Sequence, residues 1–281
     1  MKFEKWQALG NDYLIFEGAD LTFELTPARI RRICDPHLGP GSDGILVLSG
    51  CDDAQFVADL AIFNPDGSEA ELSGNGARQA LLYLRQRGWT DHNIFSIRTQ
   101  AGEIRATITG IDTATVDMGR AALESKYFPD GAPGGSGSLI SDGNSWEFQH
   151  VCIGNPQCAI KTDLALLEGL DLAKIGPAIE HHSLFPHRTN VSWFAELEPG
   201  VIRARIFERG VGETMSSGTG ATGAGVAYVL NGADPSVRVV LDGGELTVEV
   251  GEDLHVNLTG WAVPIYAGEL AANFIKELHE S

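Results

Sequence analysis

Residues 62–77 read IFNPDGSEAELSGNGA, and residues 206–221 read IFERGVGETMSSGTGA. Both fit I-F-x5-E-x3-S-G-x-G-A, and every shared residue recurs at one offset of 144 positions (217 − 73). The same offset carries Gly10-Asn11 onto Gly154-Asn155, so the repeat extends beyond one loop. A chain that doubles a Ser-Gly-x-Gly turn together with its flanks has doubled a structural unit. The doubling implies two equivalent polar loops facing one pocket, which is what chemistry at both faces of a single carbon requires.

Outward from these turns, the pattern predicts a strand, a polar loop, and a Ser-Gly-x-Gly that opens a helix in each copy. Glycines let the backbone approach a ligand closely, and the free N–H groups of the first helical turn, with the helix dipole, favour an anion there. The predicted helices are 76–87, stopped by Gly88, and 220–230, stopped by Asn231-Gly232. A further helix is predicted to start at Thr26-Pro27, and another within 163–181. Runs rich in β-branched and aromatic residues predict strands at 56–63, 95–99, 105–109, 114–118, 201–207, 237–241, 246–250 and 254–258. The Gly-, Ser- and Pro-rich stretch 129–144 reads as an exposed loop or linker, with a domain boundary just before it, near residue 120.

Residues 218–223 also match G-x-G-x-x-G, with Asp242 about 20 residues further on, as in a dinucleotide fold. A polar loop separates the preceding strand from the first glycine, where a Rossmann turn is tight, and the first copy carries Gln79 at the third glycine. Dinucleotide binding is therefore not expected.

With 281 residues, 43% of them apolar and 21% charged, the chain is long enough for two domains of a globular protein. A net charge of −18 argues against nucleic acid and against an anionic membrane surface. The N-terminal MKFEKWQALGNDYLIF alternates like a strand and does not read as a signal peptide, and no apolar run is long enough to span a bilayer. Cys34, Cys51, Cys152 and Cys158 lack the spacing of a zinc site or disulfide framework, so a cytoplasmic protein with reduced thiols is expected. The paired His181-His182 and the Pro-His loops at His37 and His187 imply no metal.

Five separated segments carry a resemblance: LGNDY (9–13), FNPDGSEAELSGNGAR (63–78), GNPQC (154–158), RTNVSWF (188–194) and ERGVGETMSSGTGA (208–221). In this order the chain resembles the diaminopimelate epimerases over nearly its whole length. The resemblance implies an α/β (α+β) fold of two pseudo-twofold-related domains, each a curved mixed sheet around a central helix. The domains would be residues 1–119, with 263–281 returning to them, and 120–262. It implies a cofactor-independent isomerase, with no metal, that epimerises an amino acid, L,L- and meso-diaminopimelate first among substrates, and a homodimer. Carried over by position, Asn11, Asn64, Asn155, Asn190 and Arg209 would contact the distal end of the substrate. Glu208 would lie beside the reacting amino group, and the backbone of Gly74, Asn75, Gly218 and Thr219 would hold the reacting carboxylate.

The family's two acid/base cysteines are Ser73 and Ser217 here, and its usual histidine in GNPHC is Gln157. A cysteine titrates near pH 8.5 whereas a serine hydroxyl is weaker by several units, each worth about 1.4 kcal/mol. A nearby base can activate a hydroxyl, and Glu208, Glu69 and Glu213 are the candidates; for Glu69 and Glu213 a structural role in the loop is the plainer expectation. The exchange leaves two alternatives open, a pocket that binds an amino acid without turnover and a related isomerase or lyase acting on another substrate.

Overall fold

The repeat of the sequence is also a repeat of strand order. The computed structural model describes residues 1–70 and 73–280. The chain divides into two units, Met1–Val116 with Gly260–Ser281, and Asp117–Thr259. The first begins with β1 (Lys2–Ala8), β2 (Asn11–Glu17), α1 (Pro27–Cys34), β3 (Ile45–Ser49), β4 (Asp59–Phe63) and the short β5 (Glu69–Ala70). The helix α2 (Gly74–Gln86) follows, then β6 (Ile94–Thr99), β7 (Gly102–Ile108) and β8 (Thr113–Arg120). The second contains β9 (Ser136–Ser141), β10 (Asn144–Ile153), β11 (Asn155–Lys161), α3 (Leu164–Gly169), α4 (Leu172–Glu180), β12 (Asn190–Glu198) and β13 (Val201–Glu208). It continues through β14 (Gly212–Thr214), α5 (Gly218–Leu230), β15 (Ser236–Leu241), β16 (Gly244–Val250) and β17 (His255–Trp261). The chain then adds β18 (Val263–Glu269) and α6 (Ala272–Glu280) to the first unit.

In the first unit, β18, β1 and β2 pair antiparallel, β2 runs parallel to β3, and β3 and β4 are antiparallel. β4 then pairs with β5 and, in parallel, with β6, which leads into the antiparallel β6-β7-β8 meander. In the second unit, β9 to β17 repeat that list strand for strand, with the parallel steps again at the third and sixth pairings. Register repeats too. Phe63 faces Glu69, and Phe207 faces Glu213 at the same offset.

Each unit wraps its sheet around one 13-residue helix, and both helices are buried nearly all round. α2 packs on β1, β2, β3 and β7, and α5 on β10 to β13, β15 and β16. α5, which carries no charged residue, has no polar face to present to water and so becomes the core of its unit. Small residues fit α5 to its sheet: a Cβ on Gly220 would meet the Ile206 side chain at 2.7 Å, and one on Gly223 would meet Gln157 at 2.7 Å. The third glycine of the G-x-G-x-x-G match is thus a packing requirement. Outside α5, the second unit fills a separate core with Phe128, Phe148, Phe185 and the edge-on pair Trp146–Trp193.

Local signals explain most boundaries. Thr26 caps α1 by accepting from the Arg29 N–H, with Pro27 opening the helix. Gly88, at φ +73°, takes the left-handed conformation that ends α2. The expected helix in 163–181 is two helices, because Asp163 and Asp171 each cap a new start. The stretch 129–144 is not wholly loop, since β9 occupies Ser136–Ser141 and pairs along β10. Its alternation rests on Leu139 turned inward (4% exposed) and Ile140 outward (73%), a signal diluted by the glycines and serines around it.

Candidate active site

Both turns of the repeat have one backbone geometry. Ser73 lies at φ −136°, ψ 119° and Ser217 at φ −140°, ψ 122°, each extended just before its helix. Each hydroxyl caps its helix, Ser73 accepting from Gly76 N–H (3.1 Å) and Ser217 from Gly220 N–H (3.2 Å). Gly74 and Asn75, like Gly218 and Thr219, supply N–H groups of the first turn that no intrahelical carbonyl can satisfy. Each serine hydroxyl is thus the structural cap of its helix.

In the second unit, strand β13 ends at Glu208, and its carboxylate accepts a hydrogen bond from Ser217 Oγ at 3.0 Å. An ionised carboxylate only accepts, so Ser217 is the donor. Burial pushes the Glu208 carboxyl above its usual range, while the hydroxyls of Thr214 and Ser217 pull it partly back. Asn190, itself buried, donates to the Pro156 carbonyl and accepts from the Arg209 backbone N–H, both at 2.9 Å. Glu180 on α4 accepts from Gly210 N–H (2.9 Å) and so fixes the turn that carries Arg209. Asn155 donates to Thr219 Oγ1 (3.2 Å) and accepts from Gln157 (2.7 Å), tying the start of β11 to the start of α5. Arg209 also lines an open cavity of about 590 Å³ with Lys126, Tyr127, His187 and Arg188; among the described residues no carboxylate lines it, though Glu180 pairs with Arg188 at 3.6 Å. That cationic wall stands out in a chain of net charge −18.

The first unit presents the same turn with different support. Ser73 Oγ lies 3.2 Å from the hydroxyl of Tyr13, the phenol donating. Position 64, equivalent to Glu208, is Asn64, whose side chain donates to Ser68 Oγ (3.0 Å). Asn11 donates to Asp43 (3.1 Å), and its carbonyl accepts from Gln79 of α2 (3.0 Å). Hydrogen bonds therefore link Asn155, Gln157 and Thr219 to one another in the second unit, and Asn11 to α2 in the first.

Of the three glutamates expected as bases, one meets a serine. Glu213 forms an ion pair with Arg205, at 2.6 Å, on the face of β13 and β14. Glu69 is exposed on β5. Cys158 is wholly buried in the aromatic core, where desolvation raises its thiol well above the ordinary range, so it is a packing residue. Among the described residues no group of three or more His, Cys, Asp or Glu side chains gathers in a metal-holding arrangement. Nor is any helix among them long and apolar enough to cross a membrane. Tyr13 escaped the sequence reading. Its signal was there, since the offset of 144 carries Tyr13 onto Gln157, the position of the family's histidine.

The sequence profile described as diaminopimelate epimerase matches residues 3–124 and 150–264. The diaminopimelate epimerase of Desulfitobacterium hafniense is 38% identical over 281 residues, covering 96% of this chain and 98% of that one. Solved structures share the fold at low identity. A phenazine biosynthesis protein of the PhzF family from Bacillus anthracis aligns with a TM-score of 0.69 at 18% identity, over 96% of this chain and 99% of that one. A hydroxyproline epimerase from Agrobacterium vitis, with bound trans-4-hydroxy-L-proline, aligns with a TM-score of 0.68 at 15% identity, over 97% and 92%. Matched by the profile over most of its length and by a relative over nearly all of it, the chain belongs to the diaminopimelate epimerase family of isomerases.

Proposed function

We propose that the chain interconverts L,L- and meso-diaminopimelate by α-proton transfer at Ser217 and Ser73, without a cofactor. The observation that carries this is the 3.0 Å bond from Ser217 to Glu208, at a turn whose twin in the other unit bonds Tyr13. Inverting a carbon requires a base to remove the α-proton and an acid to return one to the opposite face. Glu208 takes the Ser217 proton as Ser217 Oγ takes the α-proton. Its raised proton affinity makes it a stronger base than an ordinary carboxylate. At the other turn Tyr13 donates to Ser73, so a proton leaving Ser73 for carbon is replaced from the phenol. One proton leaves the carbon for Ser217 and one returns to it from Ser73, so the substrate keeps its composition; Glu208 ends protonated and Tyr13 ionised, and proton exchange with water restores both.

The Gly74, Asn75, Gly218 and Thr219 amides would hold the α-carboxylate and the negative charge that spreads into it as the C–H bond breaks. Arg209, Asn190, Asn155, Asn11 and Asn64 would recognise the distal amino-acid end. The cationic cavity that Arg209 lines suits the carboxylate there. A serine is a poorer acid than the family's cysteine by several units, each about 1.4 kcal/mol. The Glu208 bond offsets part of that deficit at one turn only.

A second reading has its own observation. Both serines cap helices, which accounts for their presence without catalysis and suits a protein that binds an amino acid and does not turn it over. Incubation with L,L- and meso-diaminopimelate in heavy water, followed by NMR, separates the two. Loss of the α-proton signal with inversion supports the epimerase, and calorimetric binding without exchange supports the binder. Neither binding nor exchange would overturn both.

A further inference from the structure

Arg78 lies on α2 one turn past Gly74, with none of its surface exposed. Its Nη2 donates to Asn75 Oδ1 in the first turn of the helix. Its Nε and Nη1 have no hydrogen-bond partner among the described residues. A buried guanidinium without a counter-ion among the described residues is costly, and burial draws its proton affinity down, to a pKa of about 10. It remains charged at neutral pH. The equivalent position of the second unit (222 − 144 = 78) is Thr222, a neutral residue bonded to the Gly218 carbonyl at 2.9 Å. The turn of α2 therefore has a full positive charge behind it and neutral Asn64 beside its strand. The turn of α5 has a neutral threonine behind it and the anionic Glu208 beside it.

We propose that Arg78 is a positioning residue that charges the α2 turn for the capture of a carboxylate, acting through Asn75 and without touching the ligand. On the epimerase reading above, that carboxylate is the α-carboxylate of the substrate. Three effects converge at the turn. The guanidinium fixes the Asn75 side chain and so the orientation of the amides at the helix start. Its charge adds to the positive end of the helix dipole in a setting with little water to screen it. A docked carboxylate then supplies the negative charge that the described residues withhold from Arg78.

The test compares wild type, Arg78→Met, Arg78→Gln and Arg78→Lys. Thermal melting is followed during titration with acetate, against chloride at equal ionic strength, and again with meso-diaminopimelate. Acetate is expected to stabilise the wild type and Arg78→Lys. The neutral variants should bind acetate about tenfold more weakly or worse, while their ligand-free melting temperature stays level or rises, because an unpaired buried charge is gone. A merely structural arginine would instead lower the ligand-free melting temperature and leave acetate affinity alone. Equal acetate affinity across the set, or a wild type that acetate does not stabilise, would overturn the proposal. If Arg78→Met fails to fold, Arg78→Gln against Arg78→Lys makes the same contrast. Loss of α-proton exchange with Arg78-dependent acetate binding intact would sink the epimerase reading and leave this one standing.

Discussion

At the start of α5, Ser217 gives its proton toward Glu208; at the start of α2, Ser73 receives one from Tyr13. The backbones of the two turns agree within a few degrees, and both serines cap their helices through the same N–H. Duplication preserved the scaffold, down to the register of the strands before each turn, and the residues behind the turn diverged. On the proposed function, base and acid would be distributed by single side chains, Glu208 against Asn64 and Gln157 against Tyr13, on otherwise equivalent frames. A symmetric pair of serines would have no preferred direction for the proton. These two have opposite polarity.

Removing either serine should break the comparison most severely. Ser217→Ala and Ser73→Ala are each expected to lower inversion of the α-carbon by about 10³-fold or more, and the double variant by little beyond either single one, since the groups act as a unit. NMR of the α-proton in heavy water checks this.

Glu208→Gln keeps the shape and removes the base, so a fall of about 10²- to 10³-fold is expected, confined to steps that start at Ser217. The base works ionised, so wild-type activity should rise with pH through a value above the ordinary carboxylate range. The stability effect has the opposite sign. A carboxyl whose folded pKa is raised binds its proton more tightly when folded, so it loses stability as pH climbs from its unfolded pKa through the folded one. Melting curves should show Glu208→Gln more stable than wild type above that window and equal to it well below.

Tyr13→Phe removes only the donor behind Ser73, and a fall in inversion of about tenfold is expected, near the lower end of acid–base contributions. An equal fall in Glu208→Gln and Tyr13→Phe, with the same pH dependence, would argue against opposite polarity. The smallest difference concerns stability. Each Ser→Ala change should cost about 1 kcal/mol through the lost cap, nearly the same at α2 and α5, as denaturant titration would show.

The scaffold was legible in sequence because duplication left two spaced copies of one motif, and because Thr26-Pro27 and Gly88 mark helix ends by strong local chemistry. β9 was hidden because its ladder is completed by β10, and a Gly- and Ser-rich strand carries little apolar alternation of its own. The helix in 163–181 divided at Asp171, a cap that reads from sequence as one more polar residue. At the site, Ser73 and Ser217 were readable from the repeat, and Glu208 from the family resemblance. Tyr13 was not, because it reaches Ser73 across 60 residues of chain. Arg78 was invisible for another reason. Nothing in GNGAR distinguishes a surface arginine from one with no exposed atom.

Opposite polarity is tested most directly by the ratio of solvent-deuterium exchange to inversion, measured by NMR from each stereoisomer with wild type and Tyr13→Phe. If Ser217 and Glu208 remove the proton and Tyr13 feeds the return through Ser73, wild type exchanges and inverts together. Tyr13→Phe should then raise the exchange-to-inversion ratio from one stereoisomer, because the carbanion is reprotonated from the Ser217 side with retention. An unchanged ratio from both stereoisomers, or a wild type that removes no α-proton at all, would contradict it.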